Sequence, residues 1–166
     1  MFRPFATWLA ATPLSMAFQN ALWLVPTSQS IHILALAVVF ASALMINARL
    51  LGFGAGGRSV SQLAATLVPW MWRALAVLLV TGTVQTITEP MRQFVAPVFW
   101  AKMVMIVVAL SWTMWFARAV RSNAAGWDSG ATRPGSARTF AIVTTFLWLA
   151  IIVCGRFIGY TYAFYV

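Results

Sequence analysis

Acidic residues are almost missing from this 166-residue chain: Glu89 and Asp128 stand against eleven Lys and Arg, for a net charge of +9. Histidine and cysteine occur once each, as His32 and Cys154. One cysteine excludes a disulfide framework or a cysteine metal site within the chain. One histidine excludes a haem held by two histidines of the same chain. Charged residues of both signs make up only 8% of the sequence, far below the roughly 25% of a soluble domain. Metal motifs, phosphate-binding loops, nucleophile–base pairs and internal repeats are also lacking.

What is present is apolar. Hydrophobic residues make up 62% of the chain, with nine Trp and twelve Phe. A membrane protein is the class that fits. The basic residues flank apolar runs and do not interleave with aromatics on a polar surface, so they report membrane topology and not nucleic-acid binding.

Four runs reach the roughly 20 apolar residues needed to cross a bilayer, at about 28–51, 67–88, 98–119 and 139–162. They predict an all-α fold, an integral membrane four-helix bundle forming a single domain over 1–166. Residues 1–25 do not fit a cleaved signal peptide, because Pro13, Gln19 and Asn20 interrupt the apolar stretch. Thr12-Pro13 reads as an N-cap followed by proline at the first helical position. Leu14, Phe18 and Leu22 then mark one apolar face, so this segment is expected to lie at the interface as an amphipathic helix or hairpin. Pro26 is expected to open the first span. The loop 52–66 is built on Gly52, Gly54, Gly56 and Gly57, and the loop 120–138 is the longest and the expected mobile segment.

Arg49, Arg58, Arg73, Arg118, Arg121, Arg133 and Arg138 all fall on one side of such a bundle. The bias places loops 52–66 and 120–138 in the cytoplasm and both termini on the periplasmic side of a bacterial inner membrane. With that topology His32, Lys102, Arg156 and Gln85 lie at similar depth in the outer half, one from each span. Thr81, Gln85 and Thr88 share a stripe that ends at Glu89. Ionisable groups at depth are tolerated best when they face inward and meet, so a shared internal site is expected. Snorkelling is the alternative for Lys102 and Arg156, whose long stems can reach the headgroups. For His32 the alternative is a packing residue hydrogen-bonded to Glu89 or Gln85. A neutral imidazole inside a bundle can also ligate haem iron, with basic residues facing the propionates.

Several stretches together resemble a known family. LWLVPTSQSIHILALAVVFASALMINARLLGFG, LVPWMWRALAVLLVTGTVQTITEP, PVFWAKMVMIVVAL and LWLAIIVCGRFIGY are similar to a bacterial family of small inner-membrane proteins with no assigned function. The likeness covers most of residues 4–162 and leaves out the third loop. Where related proteins often have an acid before RLLG, this chain has Ala48 and lacks the partner for an Asp–Arg pair there. A more distant resemblance is to HemJ-type protoporphyrinogen oxidases and the membrane domain of copper-resistance proteins. They share a His near the start of one helix, an Arg-Leu at its end and a Trp-x-Lys opening another. That resemblance implies haem b as a cofactor, His32 as ligand to the haem iron and Lys102 as its companion.

Three functions follow as expectations. The first is a haem-binding redox protein or redox-complex subunit, with His32, Lys102, Arg156 and Gln85 holding the cofactor. The second is a non-catalytic accessory subunit of a larger membrane assembly. The third is a small anion carrier. The expected partners are the lipid bilayer and either other membrane subunits or further copies of the chain.

Overall fold

The computed structural model describes residues 2–53, 57–128 and 135–161, with the side chains of 135, 136 and 161 left aside. Among the described residues there is no strand. The chain runs α1 (Arg3–Ala10), α2 (Pro13–Asn20), α3 (Leu24–Leu50), α4 (Val60–Thr88), α5 (Pro90–Phe94), α6 (Pro97–Ser122), α7 (Ala124–Asp128) and α8 (Gly135–Thr161). Helices α3, α4, α6 and α8 are each long and apolar enough to cross a membrane. The protein is an all-α, multi-pass membrane protein built on a four-helix bundle.

Local chemistry explains the helix ends. Thr12 caps α2 as its sequence predicts, accepting the Ser15 N–H at 3.3 Å, with Pro13 at the first helical position. Helix α3 begins at Leu24, a turn earlier than expected, and holds Pro26 in its first turn. A proline costs little there because those N–H groups have no intrahelical acceptor. Helix α4 starts two turns early, at Val60, because Ser59 and Gln62 form a reciprocal capping box. It continues through the exposed Pro69, a substitution for a backbone donor that spanning helices tolerate.

The four long helices form a ring. Helix α3 packs most extensively on α4, α8 closes against both α3 and α6, and α4 and α6 touch least. Each long helix buries a stripe at helical spacing: Ala35, Val39, Ser42 and Ile46 on α3, and Val68, Met71, Ala74 and Thr81 on α4. Ala109, Thr113 and Phe116 do the same on α6, as do Phe140, Thr144, Trp148 and Ile151 on α8. Phe116 stacks on Phe140 at 4.6 Å between centroids, which locks α6 to α8.

The two ends of the bundle differ. At the end carrying the N-terminus, the α1–α2 hairpin and α5 form a cap. Ser15, fully buried, donates to the Ile87 carbonyl at 2.6 Å and satisfies one of the last-turn carbonyls of α4. Phe5 meets Phe94 edge-on at 5.2 Å, and Phe2 stacks on Trp100 at 4.4 Å. At the opposite end the long loop is ordered in its first part. Trp127 of α7 is buried, packs edge-on against Phe116 and donates to the Ala119 carbonyl at 3.1 Å. Residues 129–134 of the expected mobile segment lie outside the described residues.

Candidate functional site

Register decides which polar groups face the bundle interior. His32 lies between Ser28 and Ala35 on the buried stripe of α3, and Gln85 lies between Thr81 and Thr88 on that of α4. Lys102 falls seven residues, two turns, before the fully buried Ala109, on the inward face of α6. All three sit roughly 4–12 Å inside the capped end at 1.5 Å per residue.

His32 is half-buried, and its Nδ1 is 2.7 Å from Thr81 Oγ1. The Thr81 hydroxyl has a single hydrogen, and Val77 O lies 2.8 Å away within the same helix. That hydrogen is therefore assigned to the Val77 carbonyl, a common arrangement for helical threonine. Thr81 then accepts the Nδ1–H of His32, which leaves a free lone pair on Nε2. Gly82 follows Thr81 and lies beside the imidazole. A Cβ added at Gly82 would lie 3.6 Å from the imidazole Cε1.

Lys102 reaches across α8 in the same manner. Its Nζ lies 3.5 Å from where a Cβ at Gly155 would stand. The side chain makes no hydrogen bond or ion pair with a described residue. On α4, Gln85 Nε2 is buried with no acceptor. Two other buried N–H groups share that condition, Arg49 Nε at the far end of α3 and Trp148 Nε1 in the middle of α8. His32, Lys102 and Gln85 thus lie at one level on three helices, α3, α6 and α4, with Thr81 bonded to His32 and Gly155 of α8 beside Lys102.

Arg156 does not join them. It is exposed, donates to the Tyr160 hydroxyl at 3.2 Å and lies over that ring at 5.4 Å. The cause is register: Ile151, Gly155 and Ile158 follow the inward stripe of α8, and Arg156 is one residue, about 100°, away from it. The two flanking glycines accommodate other side chains. Gly155 admits Lys102, and Gly159 admits Arg92, whose Nη2 lies 2.6 Å from a would-be Cβ there. Glu89 is not a partner of His32 either, because Arg92 Nη1 holds it at 2.8 Å.

Thr81 was visible in the sequence as part of a polar stripe, but nothing local links it to a histidine 49 positions earlier. Gly82 stood in the sequence within one of the stretches that carry the family resemblance, but nothing there linked it to His32, or Arg92 to Gly159. Among the described residues no group of three His, Cys, Asp or Glu side chains could hold a metal ion. Two surface cavities of about 290 and 420 Å³ lie elsewhere, the first lined by Phe2, Arg3, Phe94, Val95 and Trp100 and the second along α6 at Val107–Trp115.

The chain belongs to DUF6644, a family of unknown function, whose family model matches residues 20–161 and so takes in every residue of the site. No curated protein and no solved structure matches it.

Proposed function

We propose that the protein is a b-type haem-binding membrane redox protein, or the haem-carrying subunit of a redox complex, with His32 Nε2 as the ligand to iron. The observation that carries this reading is the His32–Thr81 hydrogen bond. A ligating histidine ordinarily donates its other ring N–H to a fixed acceptor, which sets the tautomer and the ring orientation. Thr81 is such an acceptor, and it leaves Nε2 of the half-buried imidazole open.

The residues present fit the donor chemistry of a haem with one protein ligand. His32 supplies the imidazole, while Lys102 and Gln85 offer N–H donors for acidic substituents. Bound haem would supply one-electron chemistry, and the protein's part is to orient the imidazole, exclude water and balance charge. The apolar layer beneath the site, from Val39 and Ala74 to Trp148, gives the low-dielectric floor. Neither of these two surface cavities is lined by His32 or Lys102, and of the seams around the ring that between α4 and α6 is the least extensive. The arginines at the opposite end, Arg49, Arg58, Arg73, Arg118, Arg121 and Arg138, support a cytoplasmic placement of that end and a site on the periplasmic side of a bacterial inner membrane. A carrier finds less support, since the four spans run unbroken while carrier sites use interrupted helices.

The test is the absorption spectrum of protein purified from cells with ample haem. A Soret band is expected, and it should be lost in His32→Ala. Its absence from the wild-type protein would overturn the reading.

A further inference from the structure

The chain has only two carboxylate side chains with which to balance a buried cation. Glu89 is taken by Arg92 in the cap, and Asp128 is at the far end of the bundle, bound to Ser61. Lys102, on the inward stripe of α6, therefore has neither acid within reach. A charge in a spanning helix is tolerated when it is paired, and an unpaired one is costly. At the same level, Gln85 Nε2 is a buried donor with no acceptor. Such a donor costs the desolvation of its N–H unless something outside the chain accepts from it. The Lys102 ammonium lies beside Gly155 of α8, 3.5 Å from where a Cβ there would stand.

Two donors without an acceptor, one of them cationic, lie at the same level of the bundle, and among the described residues no acidic side chain pairs with the cation. We infer that Lys102 and Gln85 form a carboxylate-binding subsite within the bundle, which holds the acid group of a membrane-soluble ligand. The subsite deepens the haem reading, because haem carries two propionates. It does not depend on iron, and a free long-chain carboxylic acid presents the same chemistry. The apolar remainder of either molecule suits the apolar surroundings, and the carboxylate supplies the counter-charge that the sequence withholds.

The full chain, purified in neutral detergent, would be titrated with haem, haem dimethyl ester, dodecanoate and dodecanol. Wild-type protein and the variants Lys102→Met and Lys102→Arg would be compared, with Arg156→Gln as a control for an exposed cation. Loss of a charge-assisted hydrogen bond corresponds to roughly tenfold or more in affinity. Haem is thus expected to bind wild type at least about tenfold more tightly than its diester, a preference that Lys102→Met removes and Lys102→Arg and Arg156→Gln retain. Dodecanoate, and not dodecanol, is expected to raise the melting temperature of wild type, Lys102→Arg and Arg156→Gln but not of Lys102→Met. If haem does not bind while dodecanoate stabilises, the haem reading fails and the subsite stands. The inference is overturned if neither acid is distinguished from its uncharged counterpart, or if Lys102→Met distinguishes them as well as wild type does. The comparison of haem with its diester, and of dodecanoate with dodecanol, needs only wild-type protein and so survives a variant that does not fold.

Discussion

Thr81 receives the Nδ1 proton of His32 across the seam between α3 and α4, at 2.7 Å, while its own hydrogen goes to Val77 O. One hydroxyl thereby ties the helices together and fixes which imidazole nitrogen is free. Thr81→Val keeps the side-chain shape and removes the acceptor. The variant is expected to bind haem about tenfold or more weakly by Soret titration, the usual effect when a ligating histidine loses the acceptor of its other ring N–H. The protein should also lose roughly 1 kcal/mol of stability, the usual size of one net hydrogen bond. Thr81→Ser should retain both. Wild-type affinity in Thr81→Val would show that the bond does not orient a ligand.

The second prediction concerns acid. Asp128 is exposed at the end of α7 and reaches back to the start of α4, where Oδ1 accepts the Ser61 N–H at 3.0 Å and Oδ2 the Ser61 hydroxyl. Desolvation is the largest single influence and raises its pKa, but hydrogen bonds from the Ser61 hydroxyl and N–H, the Ser59 hydroxyl and the Val60 N–H together outweigh it and leave the group below the usual value. A carboxylate beside a helix N-terminus is also favoured by the helix dipole. Because the folded pKa is the lower one, this contribution is fully present above the unfolded pKa of about 4 and fades as pH falls through the folded value. Protection of the Ser61 amide, measured against its intrinsic exchange rate at each pH, is expected to fall in that acidic window. Asp128→Asn should show fast exchange at neutral pH as well, and a variant as protected as wild type would refute the assignment.

Asn47 and Thr145 offer a test at the end away from the cap. Asn47 is buried and its Nδ2 donates at 2.9 Å to Thr145 Oγ1, which itself donates to Ala141 O. Hydrogen bonds between spanning helices average about 0.6 kcal/mol and reach about 1.7 in double-mutant cycles. A cycle of Asn47→Leu and Thr145→Val, read by unfolding in mixed micelles, should give a coupling in that range. Strict additivity would mean that the bond does not hold α3 to α8.

Arg92 rests on α8 at Gly159, and its contact there is the far end of a flexible side chain. Gly159→Ala is therefore expected to cost no more than about 1 kcal/mol, because the guanidinium can move aside. In an Arg92→Ala background the same change should turn stabilising, since alanine is favoured over glycine in a helix by about 1 kcal/mol. Thermal melts of the four proteins would check this, and an equal cost in both backgrounds would rule out the contact.

Much of the architecture was legible from composition alone. A bilayer leaves a backbone few ways to satisfy its polar groups, so twenty apolar residues in a row become a spanning helix. The same logic exposed His32 as an ionisable group at depth, and the Thr12-Pro13 pair as the start of α2. The Ser59–Gln62 capping box was also present in the sequence, at the spacing that starts α4, and reading it would have lengthened the second span to Val60. The exposure of Arg156 was legible too, since its helical phase relative to Trp148 and Ile151 puts it off the inward stripe of α8.

What the chain alone determined is the set of four spans, the scarcity of acid, and the depth at which polar groups had to be accommodated. These are properties of each segment's transfer from water to lipid. Only the tertiary structure decided that His32 bonds to Thr81, that Lys102 turns toward Gly155 and that Arg156 stays outside. Pairings of that kind depend on the order and rotation of helices in the ring, and in lipid the helices are sorted by close packing and hydrogen bonds, not by hydrophobicity.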